Sequence, residues 1–176
     1  KKSKHTFSFA SQYGESLYLG FNLNSHQINF RRVDNLIENN YGFASSFDYT
    51  EFENDLLTIG QGFSFQFGGI YKVKYLRIGL SYQSPVWYQM TDELSQRIIT
   101  NKINGKDTID PLIINIYEYN MSTPSRYGGG LAYVFGSKGL VSIQYDIVNY
   151  QKAAFDVEYG DQNFIEQNKI VETTLK

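Results

Sequence analysis

Long segments of this chain alternate between apolar and polar residues, and short turns separate some of them. The alternation is clearest around Ile59, Phe63 and Phe65, where glycine, serine and glutamine fill most of the positions between the apolar ones. A period of two residues is typical of a β-strand with different surroundings on its two faces, whereas a helix needs a period of 3.6. The pattern predicts strands near residues 5–13, 16–30, 57–71, 75–88, 123–135 and 139–153.

The connections between the predicted strands alternate between short and long. Short turns lie at 12–16, 71–75 and 135–139, and long polar stretches lie at 31–56, 89–122 and 151–176. Long strands joined by short periplasmic turns at one end and long loops at the other are how outer-membrane barrels are built. A strand that crosses a membrane needs about 9–11 residues, and most of the predicted strands are at least that long. We therefore expect an all-β fold, an antiparallel transmembrane β-barrel to which this chain contributes about six strands.

Aromatic residues gather near the ends of the predicted strands, where a membrane–water boundary would lie. Tyrosine and tryptophan prefer such boundaries because one end of the ring is apolar and the other is wet. One group lies beside the short turns and the other near the opposite ends: Tyr13, Tyr71, Tyr75, Tyr133 and Phe135, then Phe30, Trp87, Tyr88 and Tyr150.

Composition supports a membrane partner over a nucleic-acid partner. Aromatic residues make up 16% of the chain and charged residues 19%, below the roughly 25% of soluble proteins. The net charge of −2 is too small to favour nucleic acid, and no run of 18 apolar residues suggests a membrane-spanning helix. The alternative is a soluble β-sandwich, whose sheets also alternate. Its wet faces would carry many lysines and glutamates, whereas the polar positions here are mostly glycine, serine, asparagine and glutamine. We expect membrane lipid as a partner and the bacterial outer membrane as the location.

The predicted strand number is too small for a closed barrel. Bacterial outer-membrane barrels have an even number of strands and at least about eight, and an open sheet of six would leave two unpaired edges in lipid. We therefore expect residues 1–176 to be part of a single transmembrane β-barrel domain in a longer polypeptide.

Several glycine- and aromatic-rich segments follow one another in a characteristic order. They are residues 62–71 (GFSFQFGGIY), 76–85 (LRIGLSYQSP), 123–136 (TPSRYGGGLAYVFG) and 143–146 (IQYD), followed by Asn149 and Tyr150. Their order and spacing resemble the FadL/TodX family of outer-membrane transport proteins, in the form common in the Bacteroidetes. The resemblance covers most of residues 16–155. It implies a fourteen-stranded barrel with an N-terminal hatch in the lumen and a lateral gap in the wall through which ligands leave. We expect the hatch, the first strands and the closing strands of such a barrel to be absent from this chain.

The resemblance implies passive transport of hydrophobic small molecules, such as long-chain fatty acids or aromatic hydrocarbons, across the outer membrane. The alternative is a structural barrel without transport activity, a subunit of a larger assembly whose partners are other outer-membrane proteins. An enzyme is not expected, because no serine, histidine and carboxylate constellation stands out. Neither a cofactor nor a metal site is expected, since His5 and His26 lie far apart and the chain has no cysteine.

Polar residues on the strands provide the candidate site. A charged arginine facing lipid would cost about 2–4 kcal/mol at the middle of the bilayer, so these side chains are expected to face the lumen. They could orient the carboxylate of a ligand, or they could form a network that holds the strands in register. The candidate lumen-lining residues are Arg77, Gln83, Arg126, Gln144 and Asp146.

Two further features have open interpretations. Gly128, Gly129 and Gly130 are predicted to interrupt a strand, because glycine there can mark a bulge, a bend or a close backbone approach. Such a kink could serve a lateral opening or the packing of a plug. The stretch 89–122 is rich in isoleucine and leucine. It could be an apolar landing site for a ligand, or it could prolong the two flanking strands.

Overall fold

The computed structural model describes residues 1–39, 47–102, 104–109, 114–156 and 164–174. These residues form a mainly antiparallel β-sheet, which confirms the all-β class. A 3-10 turn (Tyr150–Lys152) and one helix, α1 (Ile165–Thr174), follow the main strands. The strands are β1 (Lys2–Tyr13), β2 (Leu17–Asn39), β3 (Phe47–Val73), β4 (Leu76–Gln83), β5 (Trp87–Lys102), β6 (Gly105–Ile109), β7 (Ile114–Ser122), β8 (Arg126–Val134), β9 (Leu140–Val148) and β10 (Ala154–Asp156).

The ten strands belong to one sheet, in which β6 pairs with β5. β1 pairs with β2, and β2 with β3; β3 pairs with both β4 and β5, which follow each other along the chain. β8 and β7 come next, and then β9 and β10. The sheet is open: within the described part of the chain, β1 pairs only with β2 and β9 only with β8.

The strands reach far into the stretches predicted as loops. β2 continues to Asn39 and β3 begins at Phe47, so most of 31–56 is strand. The stretch 89–122 carries most of β5 and all of β6 and β7, which confirms that it prolongs the flanking strands. Residues 40–46, 103 and 110–113 lie outside the described part. The prediction took polar residues as a sign of a loop. A polar stretch can also be a strand, because a paired strand satisfies its backbone hydrogen bonds whatever side chains it carries.

The predicted ends of the last three strands were wrong. The predicted strand 75–88 is broken after Gln83, the strand 123–135 begins at Arg126, and the strand 139–153 ends at Val148. The stretch 151–176 contains β10 and α1. The Asn168 side chain of α1 accepts a hydrogen bond from the Phe155 backbone N–H and donates one to its carbonyl, both at 2.8 Å. No helix among the described residues is long and apolar enough to cross a membrane.

The three short turns are where the sequence predicted them. Gly14 and Gly136 adopt a φ of +60°, and Lys74 adopts +51°. Glycine reaches this left-handed region without strain, and such positive φ values suit tight hairpin turns. The end of the sheet that carries these turns is called the turn end below.

The described residues group into two compact units. The first comprises Lys1, Ile28–Gly60 and Met90–Glu118. It contains the long part of β5, the β5–β6 hairpin, and an ion pair in which the Arg31 Nε donates to the Asp55 carboxylate at 2.9 Å. This hydrogen bond lowers the pKa of the Asp55 carboxyl below its usual value. The second unit comprises Lys2–Gln27, Gln61–Gln89 and Tyr119–Lys176.

The second unit has two chemically different faces, which the strand register defines. Tyr82 lies opposite Phe67 and Tyr127, and Tyr127 lies opposite Ile147, so these side chains share one face, the apolar face. Gln83 lies opposite Gln66 and Arg126 on the other, the polar face. The apolar face is open, with Leu80, Ile143 and Tyr145 exposed to 69%, 71% and 73%.

A break crosses the second unit between β4 and β5. The Ser84 N–H donates to the Phe65 carbonyl, and the Ser84 hydroxyl accepts from the Phe65 N–H, each at 2.9 Å. Between β7 and β8, the Thr123 hydroxyl accepts from the Val86 N–H at 2.9 Å. Hydroxyl groups therefore satisfy backbone groups where regular pairing stops. The break also adds one residue, because odd-numbered Gln83 shares the polar face with Gln66, whereas even-numbered Tyr88 packs over Gly62 on that face.

Candidate functional site

The five predicted lumen-lining residues lie on the polar face. Gln83 and Arg126 are opposite each other on β4 and β8. Asp146 and Gln144 of β9 lie opposite Gly128 and Gly130 of β8, and all four are on the polar face. Arg77 is also on this face, near the turn end. The structure thus places all five on one side of the sheet, but it does not gather them into one cluster.

Three amide side chains form a chain of hydrogen bonds across β2, β3 and β4. Asn22 Nδ2 donates to Gln66 Oε1 at 3.0 Å, and Gln66 Nε2 donates to Gln83 Oε1 at 2.9 Å. Asn22 and Gln66 were not among the predicted site residues. Their alternation with apolar neighbours placed each on a polar face, but only the strand register brings them to Gln83.

Arg126 and Asp146 form an ion pair next to this amide chain. Arg126 donates to the Asp146 carboxylate at 2.9 Å, and Gln144 donates to the same carboxylate at 3.2 Å. The pair lies in the open, with the arginine side chain 54% exposed. Ion pairs this exposed contribute little to stability, usually below about 1 kcal/mol. The mutual pairing fits a network that holds β8 and β9 in register.

Arg77 has a different environment from Arg126. Its cross-strand partner is Lys72, a like charge. The Lys72 ammonium donates to the Tyr18 hydroxyl and lies 4.0 Å from the centre of the Tyr18 ring. Like charges opposite each other destabilise a sheet, and the contact with Tyr18 offsets part of this repulsion for Lys72.

The most buried part of the polar face is itself polar. Asn24 and Ser64 are 1% and 0% exposed. Asn24 accepts from the Thr6 hydroxyl at 2.9 Å and donates to the Ser64 hydroxyl at 3.3 Å. A ring nitrogen of His26 lies 2.9 Å from the same hydroxyl, and the His26 ring meets Tyr88 edge-on. Both of these buried side chains have hydrogen-bond partners, which offset the free-energy cost of burying a polar group.

The three glycines predicted to interrupt a strand do not do so. Gly128, Gly129 and Gly130 lie inside β8, which pairs in unbroken register with β4 and β9. At Gly128 the reason for glycine is space on the polar face: a Cβ would lie 2.4 Å from the Ser81 hydroxyl and 2.6 Å from the Asp146 carboxylate. The interruption is instead at the break described above, where the sequence has Ser84 and Pro85.

The polar face forms an open groove of about 620 Å³. Asn22, Gln83 and Arg126 line it, together with Tyr18 and Ile70. Sites for small ligands are usually between about 300 and 1,000 Å³ and combine apolar walls with a few polar groups. In the described part of the chain, no group of three or more His, Cys, Asp or Glu side chains could hold a metal ion.

No family model, curated protein or solved structure matches this chain. The resemblance to the FadL/TodX family therefore rests on the sequence segments that suggested it.

The amide chain offers a direct test of the polar network. Gln66→Met keeps the length of the side chain but removes two hydrogen bonds, so we expect the free energy of unfolding to fall by about 1–2 kcal/mol. Gln83→Met removes one of these bonds and should cost about half as much. Urea titration of both variants measures the difference. Equal losses, or none in Gln66→Met, would contradict the network.

Proposed function

We propose that this chain is part of a transmembrane β-barrel of the bacterial outer membrane, and that the barrel passes hydrophobic small molecules across that membrane. Strands outside this sequence would complete the barrel. The apolar face would meet lipid, and the polar face would line the lumen.

The observation that carries the proposal is an inverted pattern of burial. Among the described residues, the buried polar side chains Asn24, Ser64 and Ser84 are 0–1% exposed, and the buried large apolar side chains are only Val86 and Met90, each 6% exposed. Large apolar side chains such as Leu80 and Ile143 are the exposed ones. Soluble proteins bury their large apolar residues and rarely expose an extensive apolar patch. A barrel wall in lipid requires the reverse, with apolar residues outward and polar residues inward.

Two aromatic rows on the apolar face support the membrane placement. Near the turn end, the Tyr133 ring lies 6.2 Å from Tyr75 and 4.9 Å from Phe135. At the far end, a second row has ring distances of 5.0–6.3 Å and runs through Phe21, Phe65, Tyr82 and Tyr127. From Tyr127 to Tyr133 the strand advances about 20 Å, at roughly 3.3 Å per residue. Aromatic girdles bracket an apolar band of about 25 Å in outer-membrane barrels.

Transport is supported by the sequence resemblance and by the groove on the polar face. The groove is open, so that a molecule could move along it, and Tyr18 and Ile70 give it apolar contacts. The structural alternative has one observation in its favour: Arg126 and Asp146 bind each other, which suits a role in holding strands together.

Uptake in cells tests the proposal. In the source bacterium, deletion of the gene should lower uptake of a labelled long-chain fatty acid, and the wild-type gene should restore it. Gly20→Phe adds a ring to the groove, and the nearest atoms to a Cβ at Gly20 are 3.9 Å away, so the sheet should tolerate it. This variant should restore uptake only in part.

The matched control is Ile143→Phe, which adds a ring to the apolar face and should restore uptake fully. Full restoration by Gly20→Phe would contradict a path along the groove. If deletion leaves uptake unchanged and instead depletes other outer-membrane proteins, the structural alternative replaces transport.

A further inference from the structure

The apolar face changes character abruptly at its far end. Phe63 and Trp87 stand at the boundary, and these residues are 47% and 48% exposed. Beyond them are the amides Gln61, Gln89 and Asn120 of β3, β5 and β7, which line one groove together with Phe63 and Trp87. A lipid-facing surface would be expected to stay apolar until it leaves the hydrocarbon, so this change marks the level of the lipid head groups.

A groove of about 740 Å³ lies at this boundary. Four strands of the second unit contribute its main lining residues, from β3, β5, β7 and β10. Trp87 and Phe63 provide exposed aromatic surface, and Gln61, Gln89, Asn120 and Asp156 provide hydrogen-bonding groups. Trp87 is held in place, since its ring lies 6.2 Å from Phe65 in the aromatic row.

The chemistry of the lining selects among head groups. Among the described residues that line the groove there is neither lysine nor arginine, and Asp156 adds a carboxylate. A phosphate head group would therefore meet no cation among these lining residues. Amide side chains both donate and accept, and a carboxylate accepts from more than one donor. This set matches a head group rich in hydroxyls, and an exposed indole offers a flat surface for the C–H face of a sugar ring.

We propose that this groove binds the saccharide head group of a membrane glycolipid, whose acyl chains lie along the apolar face. The inference rests on the membrane placement in the proposed function, but not on transport. The row formed by Phe65 and Tyr82 continues directly into the groove through Trp87, so one molecule can contact both surfaces.

Trp87 is the single tryptophan of this sequence and therefore a local probe. The protein is placed in phosphatidylcholine nanodiscs that contain increasing amounts of a diglucosyl diacylglycerol, or of phosphatidylglycerol with the same acyl chains. The signal is the fluorescence of the wild type minus that of Trp87→Phe. We expect a saturable change with the glycolipid and none with phosphatidylglycerol.

Gln61→Leu and Gln89→Leu test the hydrogen-bonding groups, and leucine suits a lipid-facing surface. Each should weaken the apparent affinity for the glycolipid about fivefold to tenfold, the loss expected for one hydrogen bond. Asn29→Leu removes an exposed amide of β2 that does not line the groove, and it should leave the affinity unchanged.

The outcomes distinguish a failure of the glycolipid site from a failure of the membrane placement on which it rests. If the protein fails to enter nanodiscs, the membrane placement is wrong and the groove proposal fails with it. If it enters but responds equally to both lipids, or if the glutamine variants bind as the wild type does, only the glycolipid site is refuted. A free disaccharide that gives the full response would refute the lipid as its source.

Discussion

Leu80→Arg should destabilise the protein in a membrane by about 2–4 kcal/mol and reduce its assembly into the outer membrane. Leu80 lies on the apolar face, 69% exposed, opposite Gly69 and Gly129. Its level is between the two aromatic rows, where an arginine in hydrocarbon has its largest cost. Urea titration in lipid vesicles measures the loss of unfolding free energy.

Ser81→Arg is the matched control for this substitution. Ser81 is the next residue of β4, and it lies opposite Gly68 and Gly128 on the polar face. There the new guanidinium would be near the Asp146 carboxylate, and we expect a loss well below that of Leu80→Arg. Equal losses would show that the two faces do not differ in their surroundings. A larger loss for Ser81→Arg would show that the lipid-facing and lumen-facing sides are assigned the wrong way round. Detergent tails would also solvate the apolar face, so in detergent we again expect Leu80→Arg and Ser81→Arg to differ in their losses.

Gly62→Val should also destabilise the protein strongly, by at least the 1–3 kcal/mol typical of overpacking. A Cβ at Gly62 would lie 2.5 Å from Cδ1 and 3.0 Å from Cγ of the Tyr88 ring. This ring cannot yield easily, because it is half-buried and also contacts His26. Thermal or urea unfolding of the variant measures the effect.

Gly20→Val is the control for the loss of a strand glycine. The nearest atoms to a Cβ at Gly20 are at 3.9 and 4.0 Å, an ordinary contact distance. Valine also has a higher strand propensity than glycine, so this variant should be neutral or stabilising. In a Tyr88→Ala background, Gly62→Val should cost much less than in the wild type. A cost that does not depend on Tyr88 would contradict the proposed contact.

The class of fold and the faces of individual strands could be predicted from the amino-acid sequence alone. Side chains alternate across a strand whatever its neighbours are, so the pattern around Phe65 and Gln66 already separates an apolar side from a polar one. Turn positions were also local, because glycine at positions 14 and 136 adopts a φ that other residues avoid.

Strand lengths and hydrogen-bonded partners came only from the tertiary structure. The polar stretch after Phe30 gave no apolar alternation, yet β2 continues to Asn39. The chain of bonds from Asn22 to Gln83 needs the register of three strands, which no single strand encodes. The glycines at 128–130 likewise reflect neighbours on β4 and β9, so their sequence suggested an interruption, whereas β8 pairs without a break.

The break at Ser84 and Pro85 shows most clearly what the alternation of side chains along one strand cannot predict. Continued alternation from Leu80 and Tyr82 would place Tyr88 on the apolar face and Trp87 on the polar one. The extra residue reverses this, so Tyr88 packs over Gly62, and Trp87 joins the aromatic row through Phe65. Two hydrogen bonds between Ser84 and Phe65 of the neighbouring strand fix the break, and a contact with a partner strand cannot be read from local alternation. Period and turn chemistry are local properties of the chain, whereas register and bulges depend on the partner strand.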